Sequence, residues 1–285
     1  MSRRRPRRRP PLPPEPAADI GVFGGSGFYA FLDDVEEVIL DTPWGAPAAP
    51  VTIGEIDGVR VAFLPRHGRH HEYPPARVPF RANVWAMRSL GVSRVFGPCA
   101  VGSLQPHIER GHVVVCDQVV DRTWGRPDTF FDTFDDGPVH VAFADPYCPQ
   151  LRTVAVEAGR RSGATVHERG AVVVIPGPRF STRAESFMYR SLGFDVVNMT
   201  QHPEAYLARE LGLCYATVAM VTDHDSGVDG VEAVTMEEVF RVFEANLVRL
   251  RGILHDAVTS VPSERTCSCA DATGGKVPTP PSSKG

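Results

Sequence analysis

The chain is predicted to fold as an α/β domain, and three observations predict it. Short apolar runs of strand length recur at 20–23, 59–64, 93–96, 113–120, 165–175, 194–197 and 214–221. Between them lie stretches with helical patterning, at 83–90, 151–162, 184–192 and 203–212, and strands alternating with helices indicate α/β architecture. Several strand-like runs end in loops rich in Gly, Pro or polar residues, where such folds hold their ligands.

Composition narrows the class. The 285 residues are 42% hydrophobic and 22% charged, ordinary for a globular protein. The longest apolar runs fall short of the roughly 20 residues of a membrane span, and the N-terminus has arginines but no apolar signal region, so a cytoplasmic protein without membrane partners is expected. Residues 1–19 carry six arginines against Glu15 and Asp19, so about −8 remains elsewhere beneath the overall −4. This Arg/Pro arm is predicted to be disordered, and so short a basic tail is not expected to bind nucleic acid. Residues 20–261 form the single predicted domain, and 262–285, rich in Gly, Ser, Pro and Thr, a disordered tail. Cysteines at 99, 116, 148, 214, 267 and 269 lack the spacing of zinc modules, and no metal site is expected.

In chain order, strand 20–23 leads into Gly24-Gly25-Ser26-Gly27, where backbone N–H groups and the Ser26 hydroxyl can converge on an anion. It matches neither dinucleotide nor P-loop spacing. An Asp57-Gly58 hairpin turn introduces strand 59–64, which ends in Pro65-Arg66-His67-Gly68-Arg69-His70-His71. Arg66 supplies a guanidinium fork and His67 a ring nitrogen, both suited to an oxyanion. After helix 83–90 and strand 93–96, Gly97 to Ser103 is predicted to turn, giving a small-residue loop that can approach a ligand. Strand 113–120, broken near Asp117-Gln118, opens a polar loop with aromatics.

Helix 151–162 and strand 165–175 precede a loop in which Pro176 and Pro178 hold Phe180 as a stacking surface. Residues 198–225 carry the densest set of candidates. Asn198-Met199-Thr200 ends one strand, and Thr222-Asp223-His224-Asp225 ends another; parallel neighbours would bring both to one crevice. Thr235, with Glu238 three residues later, caps a closing helix through about residue 258.

GVFGGSGF, PRHGRHH, ANVWAMRSLG with AVGSL, DQVVDRT, PGPRFSTRAESFMYR, VVNMT with PEAYLARELGLCYA, and TDHD occur in this order from about residue 20. Together they resemble the purine nucleoside phosphorylase superfamily, in its trimeric class. The resemblance implies a central mixed, partly barrel-like sheet flanked by helices, a homotrimer, and reversible phosphorolysis of a purine N-glycosidic bond. Phosphate is then a co-substrate, the purine nucleoside is the other small-molecule partner, and no cofactor is implied. The phosphate site would comprise Ser26, Arg66, His67, Cys99, Ala100 and Thr200.

On the nucleoside side the resemblance implies Asp223 bonding the purine, Asp225 supporting it, Met199 under the ribose and Phe180 near the base. His71 and Met236 would line the 5' side of the sugar, with His140 coming from a neighbouring subunit. Developing negative charge on the leaving purine and positive charge on the sugar explain an acid on one side and phosphate on the other. The leading substrate is 5'-methylthioadenosine, in purine and methionine salvage; adenosine, inosine or guanosine phosphorolysis is the alternative. An amide at position 223 would suit 6-oxopurines better. A catalytically silent binding protein is the reading of another class. Cys99 departs from the family's Thr-Ala phosphate loop, replacing a hydroxyl with a weaker thiol donor. The resemblance also brings Cys148 and Cys214 close together, able to pair under oxidation and expected as thiols in a reducing cytoplasm.

Overall fold

The computed structural model describes residues 17–24, 33–134, 137–226, 235–276 and 278; the arm through residue 16 and Ser26 lie outside these described residues. The strands are β1 (Ile20–Gly24), β2 (Asp33–Val38), β3 (Val51–Ile56), β4 (Val59–Pro65), β5 (Arg94–Ser103), β6 (Val113–Val114), β7 (Gln118–Asp121), β8 (Val166–His167), β9 (Ala171–Val174), β10 (Val196–Asn198) and β11 (Cys214–His224). The helices are α1 (Phe80–Ser89), α2 (Pro149–Arg161), α3 (Arg183–Ser191), α4 (Gln201–Glu210) and α5 (Met236–Thr259). No helix among the described residues is long and apolar enough to cross a membrane.

Local chemistry explains several boundaries. Asp57 and Gly58 both have positive φ, 47° and 83°, as a tight hairpin between β3 and β4 requires. A capping box of Thr182 and Glu185 starts α3, and the Thr235 side chain accepts from the Glu238 N–H at the start of α5.

The sheet is mixed, in the order β2-β3-β4-β1-β5-β10-β9-β7. From β5 it branches: β11 runs parallel to β5 along nearly its whole length, and β6 pairs with β11 and β8. This branching gives a partly barrel-like sheet without closing it among the described residues. Alternate residues of β11 feed two cores. Tyr215, Ala219 and Val221 join one with Val84 and Met87 of α1 and Leu207 of α4; Ala216, Val218 and Met220 join another with Leu151 of α2 and Leu254 of α5. The period-2 pattern of one fully buried strand thus places helices on both faces.

Two expectations about β5 and its neighbours are corrected. The predicted turn from Gly97 to Ser103 is strand throughout. Proline is tolerated there because β1 pairs β5 only to Phe96, so Pro98 faces no partner that needs its missing N–H. The strands carrying Asn198 and Asp223 are not parallel neighbours: β5 lies between them, and β10 runs antiparallel to it. The crevice still forms, because β1 and β10 approach the same side of β5 from opposite directions and leave Gly97 to Val101 uncovered between them.

The segment after Pro262, expected to be unstructured, is ordered through residue 276. It carries a 3-10 turn over Ser268–Asp271 and buries Cys269. Backbone carbonyls of Ser263 and Glu264 accept from Arg94 and Gln150 side chains at 2.9 Å each, so polar composition did not prevent docking.

Candidate active site

The uncovered stretch of β5 organises the candidate site. Arg66, just beyond β4, donates from its backbone N–H to the Gly24 carbonyl, which holds the ends of β1 and β4 together. Its guanidinium forms a bidentate pair with Glu204, Nε to Oε2 at 2.8 Å and Nη2 to Oε1 at 2.7 Å, and Nη1 donates to the Pro98 carbonyl at 3.0 Å. Both residues are buried. Burial opposes the charge on Arg66, but the Glu204 carboxylate outweighs it and holds the guanidinium protonated. Tyr215 donates to Glu204 Oε1 at 2.6 Å. Its hydroxyl occupies space that a Cβ at Gly97 would enter, so Gly97 is needed for the network that aims Arg66.

His67 is half-buried, and its Nδ1 donates to the Tyr73 carbonyl at 2.8 Å. A carbonyl only accepts, so the ring's proton sits on Nδ1 and Nε2 keeps a lone pair. Burial lowers the His67 pKa to about 4, opposed by the Tyr73 carbonyl and aided by Arg66 and His71, which leaves the ring neutral near pH 7. Asn198 Nδ2 donates to the Ala100 carbonyl at 3.1 Å. The Ala100 N–H leaves the strand on that same side and points into the uncovered stretch.

Asn198 Oδ1 accepts from the backbone N–H groups of Thr200 and Gln201 at 2.7 and 2.8 Å, which places Thr200 beside β5. Arg66, His67, Ala100 and Thr200 thus gather around one gap. Cys99 lies there through its backbone, but its sulfur turns inward to Gln201 Nε2 at 3.4 Å and Thr217 Oγ1 at 3.5 Å.

The acidic pair stands two residues further along β5, about 7 Å. A register shift between Val221 and Asp223 sets Asp223 beside Gly102, and the Asp225 N–H donates to the Ser103 carbonyl at 2.8 Å. A Cβ at Gly102 would lie 2.8 Å from Asp223 Oδ2 and 3.5 Å from the Asp225 Cβ, so glycine makes room for both acids. Thr222 Oγ1 donates to Asp223 Oδ1 at 2.7 Å, leaving Oδ2 on the Gly102 side. Burial pushes the Asp223 pKa up to about 6; Thr222 opposes the rise, and the charge of Asp225 adds to it. Asp225 is also raised, by burial first, against the hydroxyls of Ser186 and Ser181. That proximity brings the Phe180 loop to the acidic end.

Met199 and Phe180 are half-buried, Met199 next to Thr200 and Phe180 next to Ser181. His71 stacks on His67 at 4.9 Å and meets Phe240 of α5 edge-on at 6.4 Å; Met236 lies one helical turn before Phe240. These three exposed side chains gather at one edge of the site. His140 is exposed and packs on Phe134, 5.8 Å away, with no bond to the other candidates among the described residues.

Sequence reading missed Glu204, Tyr215, Arg126 and Phe240. Arg126 donates to the carbonyls of Met199, His202 and Pro176 at 2.9, 2.6 and 2.9 Å, clamping the Met199 and Phe180 loops together. A Glu inside PEAYLARE was the one available signal for Glu204, since a carboxylate amid apolar helix residues needs a buried cation.

The strand ends of this mixed α/β sheet gather an arginine, a neutral histidine and a backbone amide beside a buried acid. The chain belongs to the Phosphorylase superfamily, whose pattern matches residues 19–259. It is 54% identical over 269 residues to a purine nucleoside phosphorylase of Streptomyces coelicolor, covering 92% of this chain and 96% of that one. It is 55% identical over 250 residues to an S-methyl-5'-thioadenosine phosphorylase of Mycobacterium tuberculosis, covering 87% and 92%. Among solved structures, methylthioadenosine phosphorylase from Schistosoma mansoni in complex with adenine superposes with a TM-score of 0.84 at 37% identity, covering 90% of this chain and 96% of that one.

Proposed function

We propose that the protein cleaves 5'-methylthioadenosine with phosphate, releasing adenine and 5-methylthioribose 1-phosphate. The observation that carries this reading is the pairing of a buried acid, Asp223, with an anion gap two residues away along β5. The Mycobacterium tuberculosis and Schistosoma mansoni proteins, named for this activity, support it.

Phosphate is placed by Arg66, the Ala100 N–H and Thr200, with Ser26 and the Cys99 backbone completing the cradle. His67 offers an acceptor at Nε2, so it suits the hydroxyl of a phosphate monoanion and orients it by accepting a hydrogen bond. As the glycosidic bond lengthens, the dianion faces the cationic sugar, which rests on Met199. Asp223, with a pKa near neutrality, donates or shares a proton with the leaving purine, and Asp225 holds it in place. Phe180 covers the base. His71, Met236 and Phe240 form a largely apolar edge for the 5' substituent, where one buried methyl-sized group is worth about 1 kcal/mol.

The same reading includes a homotrimer in which His140 reaches a neighbour's site, no cofactor, and a cytoplasmic role in purine and methionine salvage. Trp124, Phe187 and Leu192 are 72%, 66% and 62% exposed, an apolar set suited to subunit contact. The name of the Streptomyces coelicolor relative supports a second reading, a broader purine nucleoside phosphorylase. Incubation with phosphate and, separately, 5'-methylthioadenosine, adenosine, inosine and guanosine, with released base measured, decides between them. Fast, phosphate-dependent adenine release from 5'-methylthioadenosine is expected; equal rates with inosine would overturn the substrate assignment.

A further inference from the structure

Four of the six cysteines converge at the end of the molecule remote from this site. Cys148 immediately precedes α2, Cys214 opens β11, and Cys267 and Cys269 come from the segment beyond α5. Their four sulfurs all lie within 4.8 Å of one another, and the Cys214 and Cys267 sulfurs are 3.3 Å apart. A tetrahedral zinc centre with zinc–sulfur bonds of about 2.3 Å has sulfur–sulfur edges of about 3.8 Å, within reach of this cluster by small side-chain rotations. Linear spacing hides the set, because a C-x-C pair from the C-terminal segment meets two cysteines from separate strand and helix ends.

The surroundings suit thiolates. Cys148 is the N-cap of the 13-residue α2, where unpaired backbone N–H groups and the helix dipole favour a negative sulfur. The guanidinium of Arg265 lies against Cys214 and Cys267 and is fixed by donating to the Gly212 carbonyl at 2.9 Å. A four-thiolate zinc centre carries a net negative charge, and a fixed cation beside its ligands offsets it.

We propose that Cys148, Cys214, Cys267 and Cys269 form a closed structural zinc site that fastens the segment after α5 to the core. Four protein ligands leave no open position for a substrate, so the site is structural. Nine residues of β11, about 30 Å, separate Cys214 from Asp223, so the ion takes no part in the reaction.

The test uses the full chain, purified anaerobically with reductant and equilibrated with zinc, then passed into metal-free buffer. About one zinc per chain should remain, and cobalt(II) exchanged into the site should show thiolate-to-metal charge transfer and the intense visible bands of tetrahedral coordination. The Cys267→Ser/Cys269→Ser variant should lose the metal and the cobalt spectrum while keeping turnover. Cys269→Ser alone, a milder change, should retain cobalt weakly with an altered spectrum. Chelation should lower the Tm of the wild type and leave that of the double variant unchanged. A reduced, folded wild type that retains no zinc overturns the proposal. So does alkylation mass spectrometry finding these four cysteines joined as disulfides in the anaerobically isolated protein.

Discussion

At the scale of single residues, the proposed reaction makes Asp223 the proton donor. Asp223→Asn should then lower turnover of 5'-methylthioadenosine by about a hundredfold or more, whereas inosine, whose 6-oxo group accepts from an amide, should lose much less. Steady-state rates on both substrates check this, and equal losses would contradict the base contact. The same substitution has a stability signature. A carboxyl whose folded pKa is raised to about 6 contributes stability that is complete below its unfolded value and lost as pH rises through 6. Relative to wild type, Asp223→Asn should therefore gain about 2 kcal/mol between pH 4 and pH 8. Urea titrations at the two pH values measure it, and a pH-independent difference would show that burial does not perturb this acid.

At the scale of elements, the site depends on how β5 is covered. Arg66, at the end of β4, is oriented by Glu204 of α4, which is held by Tyr215 of β11, for which Gly97 of β5 makes room. Glu204→Gln keeps the shape but strips the buried guanidinium of its counter-charge. A loss of about 3–5 kcal/mol in unfolding free energy is expected, with a raised KM for phosphate and a smaller change in KM for the nucleoside. Equilibrium unfolding and initial rates at varied phosphate test both parts; unchanged stability would mean the pair is solvated. The sequence showed GPCAVGS as a small-residue segment at a strand end, but not that it was strand. Propensity reports the cost of Gly and Pro in a ladder, whereas the open edge of β5 at Pro98, on the side away from β11, arises from where β1 stops and β10 begins.

At the scale of the whole molecule, the two cores on opposite faces of the sheet leave an apolar surface around α3 and Trp124 uncovered. In the proposed homotrimer, Phe187→Asp should shift the assembly toward monomer in sedimentation or light scattering. It should also reduce activity, through loss of the proposed contribution of a neighbour's His140, while leaving far-UV circular dichroism intact. A wild type that sediments as a monomer at micromolar concentration would refute the trimer.

The sequence by itself determined the α/β class, the hairpin at Asp57-Gly58 and the cap of α5, and it pointed to Arg66, His67, Thr200, Asp223 and Asp225 as candidates. Each of these follows from local preference or from a side chain whose chemistry is visible in its type. Only the tertiary structure decided that β5 separates the two strand ends, that Glu204 neutralises Arg66, that the Cys99 sulfur points away from the anion gap, and that a polar C-terminal segment docks its C-x-C pair beside Cys148 and Cys214. Those features depend on contacts between residues distant in sequence, and such pairings are set by how strands and helices close around one another.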